Sequence, residues 1–137
     1  MTSAESNRAI VERYVDAYND HDRDRLEAVF APTIEFAGGE ASRDEFLAGV
    51  DTWWEAFPDI TLTPERIVAD DGGAAFRFRF EGTHDGEFQG IEPTGDRVDI
   101  SEMIFFEIGD DRIDGLWFEW DELGFYERLG VLEHPVR

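Results

Sequence analysis

The chain has 137 residues, 42% of them hydrophobic and 14% aromatic, which suits one packed domain spanning residues 1–137. It carries 33 Asp and Glu against 12 basic residues, a formal charge of −21, and every basic residue is an arginine. Such a surface repels nucleic acid and anionic membranes, no apolar run nears the ~18 residues of a membrane span, and the absence of cysteine excludes disulfides, thiolate metal sites and a cysteine nucleophile.

The acidic residues are spread along the chain rather than gathered in a tail, a distribution suited to solubility in a salt-rich cytoplasm. The opening Met1-Thr-Ser-Ala-Glu-Ser6 is polar and has no apolar signal core. The expectation is a soluble cytoplasmic protein of halophilic character.

Residues 3–20 read as a helix, with Ile10, Val11, Tyr14, Val15 and Tyr18 at three- and four-residue spacing. Asp22 can cap a short second helix carrying Leu26, Val29 and Phe30, ended by Pro32. Thr33–Phe36 alternates as a short strand before Gly38-Gly39. Ser42-Arg-Asp-Glu45 has capping-box spacing and opens a third helix through Phe46, Val50, Trp53, Trp54 and Phe57, closed by Pro58.

The remainder reads mainly as strand. Ile60–Ala69 alternates loosely and Asp70-Asp-Gly-Gly73 is a turn. From Ala74 to Glu81, Phe76, Phe78 and Phe80 share one face, with Arg77, Arg79 and Glu81 on the other. A loop covers 82–95, Arg97–Ile108 is a long strand, Gly109-Asp-Asp111 a hairpin turn, and Arg112–Asp121 the last strand. Residues 122–130 can make a closing helical turn. Early helices followed by an antiparallel sheet define an α+β fold. A long sheet with three helices on one face tends to curl around a pocket, and such pockets take small apolar ligands.

Alternation selects the side chains able to do chemistry. Trp117, Glu119 and Asp121 point one way from the last strand, and Leu116, Phe118 and Trp120 the other. In the preceding strand Glu102 interrupts the row Val98, Ile100, Ile104, Phe106 and Ile108. Asp121 is either the cap of the residues after it or a carboxylate made basic by aromatic surroundings. His84, in a glycine-rich loop, is a pocket residue or a structural one. Glu102 and Glu119 are pocket or surface carboxylates. Tyr14, Tyr18, Trp53, Trp54 and Phe57 build core, and part of the set can line the pocket. His21 and His134 are assigned no role. No His/Asp/Glu cluster has metal-ligand spacing, no glycine loop has the phosphate-cradling pattern, and Ser101 lacks the strained turn of a nucleophile.

The segment Gly82-Thr-His-Asp-Gly-Glu-Phe-Gln-Gly-Ile-Glu-Pro-Thr-Gly95, the strand bearing Phe105-Phe106, Asp111-Arg-Ile113, then Trp117, Asp121, Gly124 and Arg128-Leu-Gly130 together resemble the SnoaL-like polyketide cyclases of the NTF2-like superfamily. The first helix and Phe57-Pro-Asp59 fit as well, so the resemblance spans nearly the whole chain. It implies a cone-shaped α+β barrel, a cofactor-free aldol-type cyclisation or related isomerisation of a small apolar carbonyl compound, and a homodimer formed through a sheet face. It implies that Asp121 removes a carbon-bound proton and, less strongly, that His84 faces the pocket; Glu102 stands where the family pattern has a neutral or histidine residue, and beside Asp121 as base the expectation is that His84 and Glu102 orient the substrate or donate to the oxyanion. Substrate contacts are expected from Tyr14, Tyr18, Trp54, Phe57, Trp117 and Glu119. A second carboxylate near Asp121 would raise the pair's proton affinity and alter the chemistry. Two alternatives stand beside this: a non-catalytic dimer that binds a small molecule, and an epoxide-opening enzyme using Arg97, Asp99 and Asp121. The second is disfavoured because Asp99 has parity opposite to Glu102.

Overall fold

The computed structural model describes residues 3–131, so His134, to which no role was assigned, lies outside the described residues. The order is α1 (Ala4–Asn19), α2 (Arg23–Ala28), β1 (Phe30–Phe36), β2 (Gly39–Ser42), α3 (Arg43–Ala56), β3 (Thr61–Ala69), β4 (Gly73–Thr83), β5 (Arg97–Gly109), β6 (Arg112–Trp120) and α4 (Glu122–Arg128). One six-stranded sheet runs β2-β1-β6-β5-β4-β3. All its pairs are antiparallel except β1 with β6, which is parallel, so the fold is α+β with a mixed sheet.

Helix boundaries follow local chemistry. Ser3 caps α1 in a capping box with Ser6, and the Asp22 carboxylate accepts from the Arg25 amide at the start of α2. Ser42 accepts from the Glu45 amide at the start of α3. The spacing in α1 turns Ile10, Val11, Tyr14, Val15 and Tyr18 inward, and all five are buried. Two asparagines then fasten that helix along edge strand β3. Asn7 Nδ2 donates to the Asp70 carbonyl at 2.8 Å. Asn19 donates to the Leu62 carbonyl at 2.9 Å and accepts from the Leu62 amide at 2.8 Å. These bonds occupy backbone groups that an edge strand would otherwise leave open.

Pro32 does not end a helix; it lies within β1, and a short strand β2 that the glycine pair concealed follows it. The inner sheet face carries Phe76, Phe78, Phe80, Ile100, Ile104 and Phe106, each at most 3% exposed. Each such side chain contributes on the order of 1.5–3 kcal/mol by leaving water. At the sharp β3–β4 turn Asp70 Oδ1 accepts from the Gly72 and Gly73 amides. A Cβ at Gly73 would stand 2.0 Å from the Phe106 carbonyl oxygen, so that approach requires glycine.

The β5–β6 hairpin decides the faces. Its two-residue turn uses Asp110 and Asp111 at φ 52° and 61°, the left-handed conformation of a tight hairpin. Pairing begins Gly109 with Arg112 and Ile108 with Ile113, then slips at Asp114, so that Glu107 faces Gly115. Without the slip Glu102 would oppose Glu119; with it Glu102 opposes Trp120. One inserted residue thus transfers every later side chain of β6 to the other face.

Candidate active site

A cavity of about 610 Å³ opens between the helices and the inner sheet face. From α1 come Tyr14 and Tyr18, one helical turn apart on one side. The β1–β2 hairpin supplies Phe36, Ala37 and Ala41. α3 supplies Glu45, Phe46, Gly49, Val50 and Trp53, a stripe at three- and four-residue spacing. Glu102 comes from β5, with Phe118 and Trp120 from β6. The wall is therefore aromatic, and its carboxyls among the described residues are Glu45 and Glu102.

Glu102 sits in a row across three strands, with Phe78 on one side and Trp120 on the other. It makes no hydrogen bond to any described residue. Burial pushes its carboxyl from 4.5 up to about 8. By accessible area the residue is only partly buried, because its outer atoms border the cavity. The protein atoms packed around the carboxyl still strip it of most of its hydration, and that loss raises its proton affinity. The Tyr14 and Tyr18 phenols are driven up as well, first by burial; Tyr14 then feels the charge of Glu102, and Tyr18 that of Tyr14 and Glu102. Glu45 stands at the exposed end of the wall, accepting from Ser42 Oγ at 3.2 Å.

Of the residues singled out by sequence, the structure places Tyr14, Tyr18, Trp53 and Glu102 in the cavity wall and the others elsewhere. Asp121 is exposed and outside the lining; its Oδ1 accepts from the Gly124 amide at 2.9 Å and caps α4. Trp117 and Glu119 are on the outer face, opposite Phe105 and Met103, as the slip at Asp114 requires. Trp54 packs on Tyr18 and stacks on His21 at 4.9 Å, leaving the adjacent Trp53 to face the cavity. Phe57 is fully buried against Phe80, His84 and Phe88.

His84 is fully buried outside the lining. Its Nδ1 accepts from the Thr94 amide at 3.2 Å and lies 3.1 Å from Thr94 Oγ1, while its backbone binds Asp96 and Gly95. The ring thereby ties the 84–96 loop to itself. Gly86 is the loop's close approach: a Cβ there would lie 2.2 Å from the Glu55 carbonyl oxygen. Asp99 pairs with Arg79, and Arg97 with Glu81 at 2.7 Å, neither in the lining. Among the described residues no three of His, Asp and Glu converge as metal ligands, and no described helix is long and apolar enough to cross a membrane.

Sequence reasoning passed over Phe36, Glu45, Phe46, Phe118 and Trp120 as wall residues. The stripe 45/46/49/50/53 along α3 was the available signal, but the capping-box reading of Glu45 obscured it.

An α+β cone with an aromatic cavity and a carboxyl inside defines the NTF2-like class. Residues 8–129 match the model of the SnoaL-like polyketide cyclases, and the chain belongs to that family. Among solved structures, TsrD from Streptomyces laurentii is 26% identical with a TM-score of 0.88, covering 96% of this chain and 100% of that one. AclR from Streptomyces galilaeus, provisionally described as a hydroxylase, is 26% identical with a TM-score of 0.87, covering 96% and 85%. IdmH from Streptomyces antibioticus, provisionally described as a polyketide cyclase, is 26% identical with a TM-score of 0.80, covering 91% and 99%. Among curated proteins none matches the sequence.

Proposed function

We propose that the protein is a cofactor-free acid–base enzyme acting on a small apolar carbonyl compound held in the cavity, by aldol-type cyclisation or a related isomerisation. The observation that carries this is Glu102, a carboxyl that faces an aromatic cavity and has no hydrogen-bond partner among the described residues. Its proton affinity lies near neutral pH, where a proton-transfer group works best. Protonated, Glu102 donates to the carbonyl oxygen. Glu45, the other carboxyl of the wall, is the group that takes the carbon-bound proton at the open end. Two carboxyls in unlike surroundings divide the acid and base roles.

Glu102→Gln is expected to keep the fold and lower turnover roughly 10²–10⁴-fold, the usual cost of losing a general acid–base group. The assay is enolisation or cyclisation of apolar β-dicarbonyl compounds. Unchanged turnover in that variant would sink the reading. A purely binding role is the second reading, favoured by the capping geometry of Asp121, the residue the family resemblance casts as base.

We also propose a homodimer through the outer sheet face. Met103 and Phe105 are 50% and 49% exposed there. Arg77 flanks Met103 on one side and Glu119 on the other. A two-fold axis along the strands would set each copy's Arg77 edge over the other's Glu119 edge.

A further inference from the structure

We propose that the cavity is a receptor for apolar amine cations, the ammonium group held by the Glu102 carboxylate beside Trp53 and Trp120 and the apolar body lying along the aromatic wall. The inference goes beyond the acid–base reading above. That reading uses Glu102 as an acid, whereas an amine cation engages it as a carboxylate and thereby blocks turnover. Glu102 and Trp120 are direct partners across β5 and β6, which sets their side chains next to each other on the inner face. Trp53 reaches the same place from α3, its ring centroid 5.9 Å from that of Trp120 and its plane at 82° to it. Two indoles at right angles thus stand beside one carboxyl. An indole face attracts a cation, and the attraction grows as water is excluded.

The protein supplies no counter-charge of its own. Among the described lining residues there is no Arg, Lys or His, and Glu102 has no hydrogen-bond partner. Ammonium N–H groups donate to a carboxylate in charge-assisted bonds, and a chain carrying −21 draws cations toward it. The groups packed around Glu102 leave it to set the pH dependence alone. Tyr14 and Tyr18 of α1 stay uncharged, their phenols driven up by burial. Phe78 of β4 and Trp120 of β6 flank it and do not titrate. Glu45 of α3 lies at the exposed end of the wall. On its own, the Glu102 carboxyl holds its proton up to about pH 8. An amine, like the lysine side chain with its pKa of about 10.4, arrives as a cation. Glu102 then gives its proton to solvent and pairs with the ammonium group, so each ligand bound releases one proton.

The test uses the full chain with 2-phenylethylamine and its uncharged counterpart 2-phenylethanol, both followed by tryptophan fluorescence. Affinity for the amine is expected to rise about tenfold from pH 6 to pH 7 and to level off above about pH 8. Affinity for the alcohol should stay within about twofold over pH 6 to 7. At pH 8.5 the amine should bind roughly tenfold or more tightly than the alcohol. Calorimetry at pH 6.5 in phosphate and in Tris, whose ionisation enthalpies differ, should count close to one proton released. Glu102→Gln should remove the pH dependence and weaken the amine roughly tenfold at pH 8.5, with the alcohol little changed. Trp120→Leu should weaken the amine about two- to tenfold.

An alcohol bound as tightly as the amine at pH 8.5 would overturn the proposal. So would amine binding without proton release, which the native chain tests with no variant. Unchanged amine affinity in a Glu102→Gln chain shown by circular dichroism to be folded would do the same. Amine binding in a chain whose turnover ignores Glu102 would leave the receptor standing and remove the acid–base reading. Turnover that depends on Glu102 with no preference for the amine would do the reverse.

Discussion

Asp121 and Glu102 share a side-chain chemistry and differ in everything around it. Asp121 is exposed and spends its Oδ1 on the Gly124 amide. Asp121→Ala should cost about 1 kcal/mol of stability, the usual loss for an N-cap, and Asp121→Asn should retain most of it. With Glu102 as the proton-transfer group, Asp121→Asn should also retain turnover. A folded Asp121→Asn enzyme with turnover reduced 10²-fold or more would return the base to Asp121. Glu102 makes a prediction about pH. Its folded value of about 8 lies above the ordinary 4.5, so between those values the folded chain holds a proton the unfolded chain has released. Its contribution is complete below about pH 4.5 and disappears as pH rises through about 8. Glu102→Gln should therefore gain stability relative to the native chain across that window, measured by urea unfolding at pH 5, 7 and 9. A difference independent of pH would contradict the buried, partnerless carboxyl.

At the scale of elements, the three early helices and four long strands are legible because their periodicities and caps are local. Ser42, Asp22 and the Phe76/Phe78/Phe80 row each signal through neighbours within a few residues. The site is less legible because it depends on which face of β6 joins which face of β5. Both faces of β6 are aromatic, so hydrophobicity does not choose between Trp117 and Trp120. The choice is made by the slip at Asp114, a one-residue event with no compositional mark. Parity within β5 singled out Glu102, since a carboxyl in an apolar row is visible without its partner strand. The α3 tryptophans show the same limit. Adjacent positions on a helix point about 100° apart, so Trp53 reaches the cavity while Trp54 packs on Tyr18 and His21. The tight loop holding His84 resembles a pocket mouth in sequence, yet its Gly86 serves a backbone approach to α3 and its Gly90 and Gly95 serve positive-φ turns.

For the whole molecule, the outer sheet face and the charge act together. If two copies pair through Met103 and Phe105, Phe105→Glu should convert a dimer to a monomer by light scattering, without loss of the cavity. A native chain that is monomeric at molar KCl would refute the pairing. Salt has two opposing effects on the fold. It weakens the ion pairs that Arg23, Arg25, Arg43, Arg77, Arg79 and Arg97 form among the described residues. These are solvent-accessible contacts, each worth roughly 0–1 kcal/mol. It also screens the mutual repulsion of an excess of 21 acidic charges confined to 137 residues. The Debye length falls from about 30 Å at 0.01 M to about 3 Å at 1 M, below the spacing of most surface carboxylates. The repulsion acts over many pairs at once, whereas the attractive contacts are few and already close. Screening of repulsion should therefore win, and the melting temperature should rise from 0.01 M to 1 M KCl, most steeply at the low end where the Debye length shortens fastest. A rise confined to the highest concentrations would indicate a general strengthening of apolar burial instead. A flat or falling melting temperature would show that the acidic surface brings no requirement for salt.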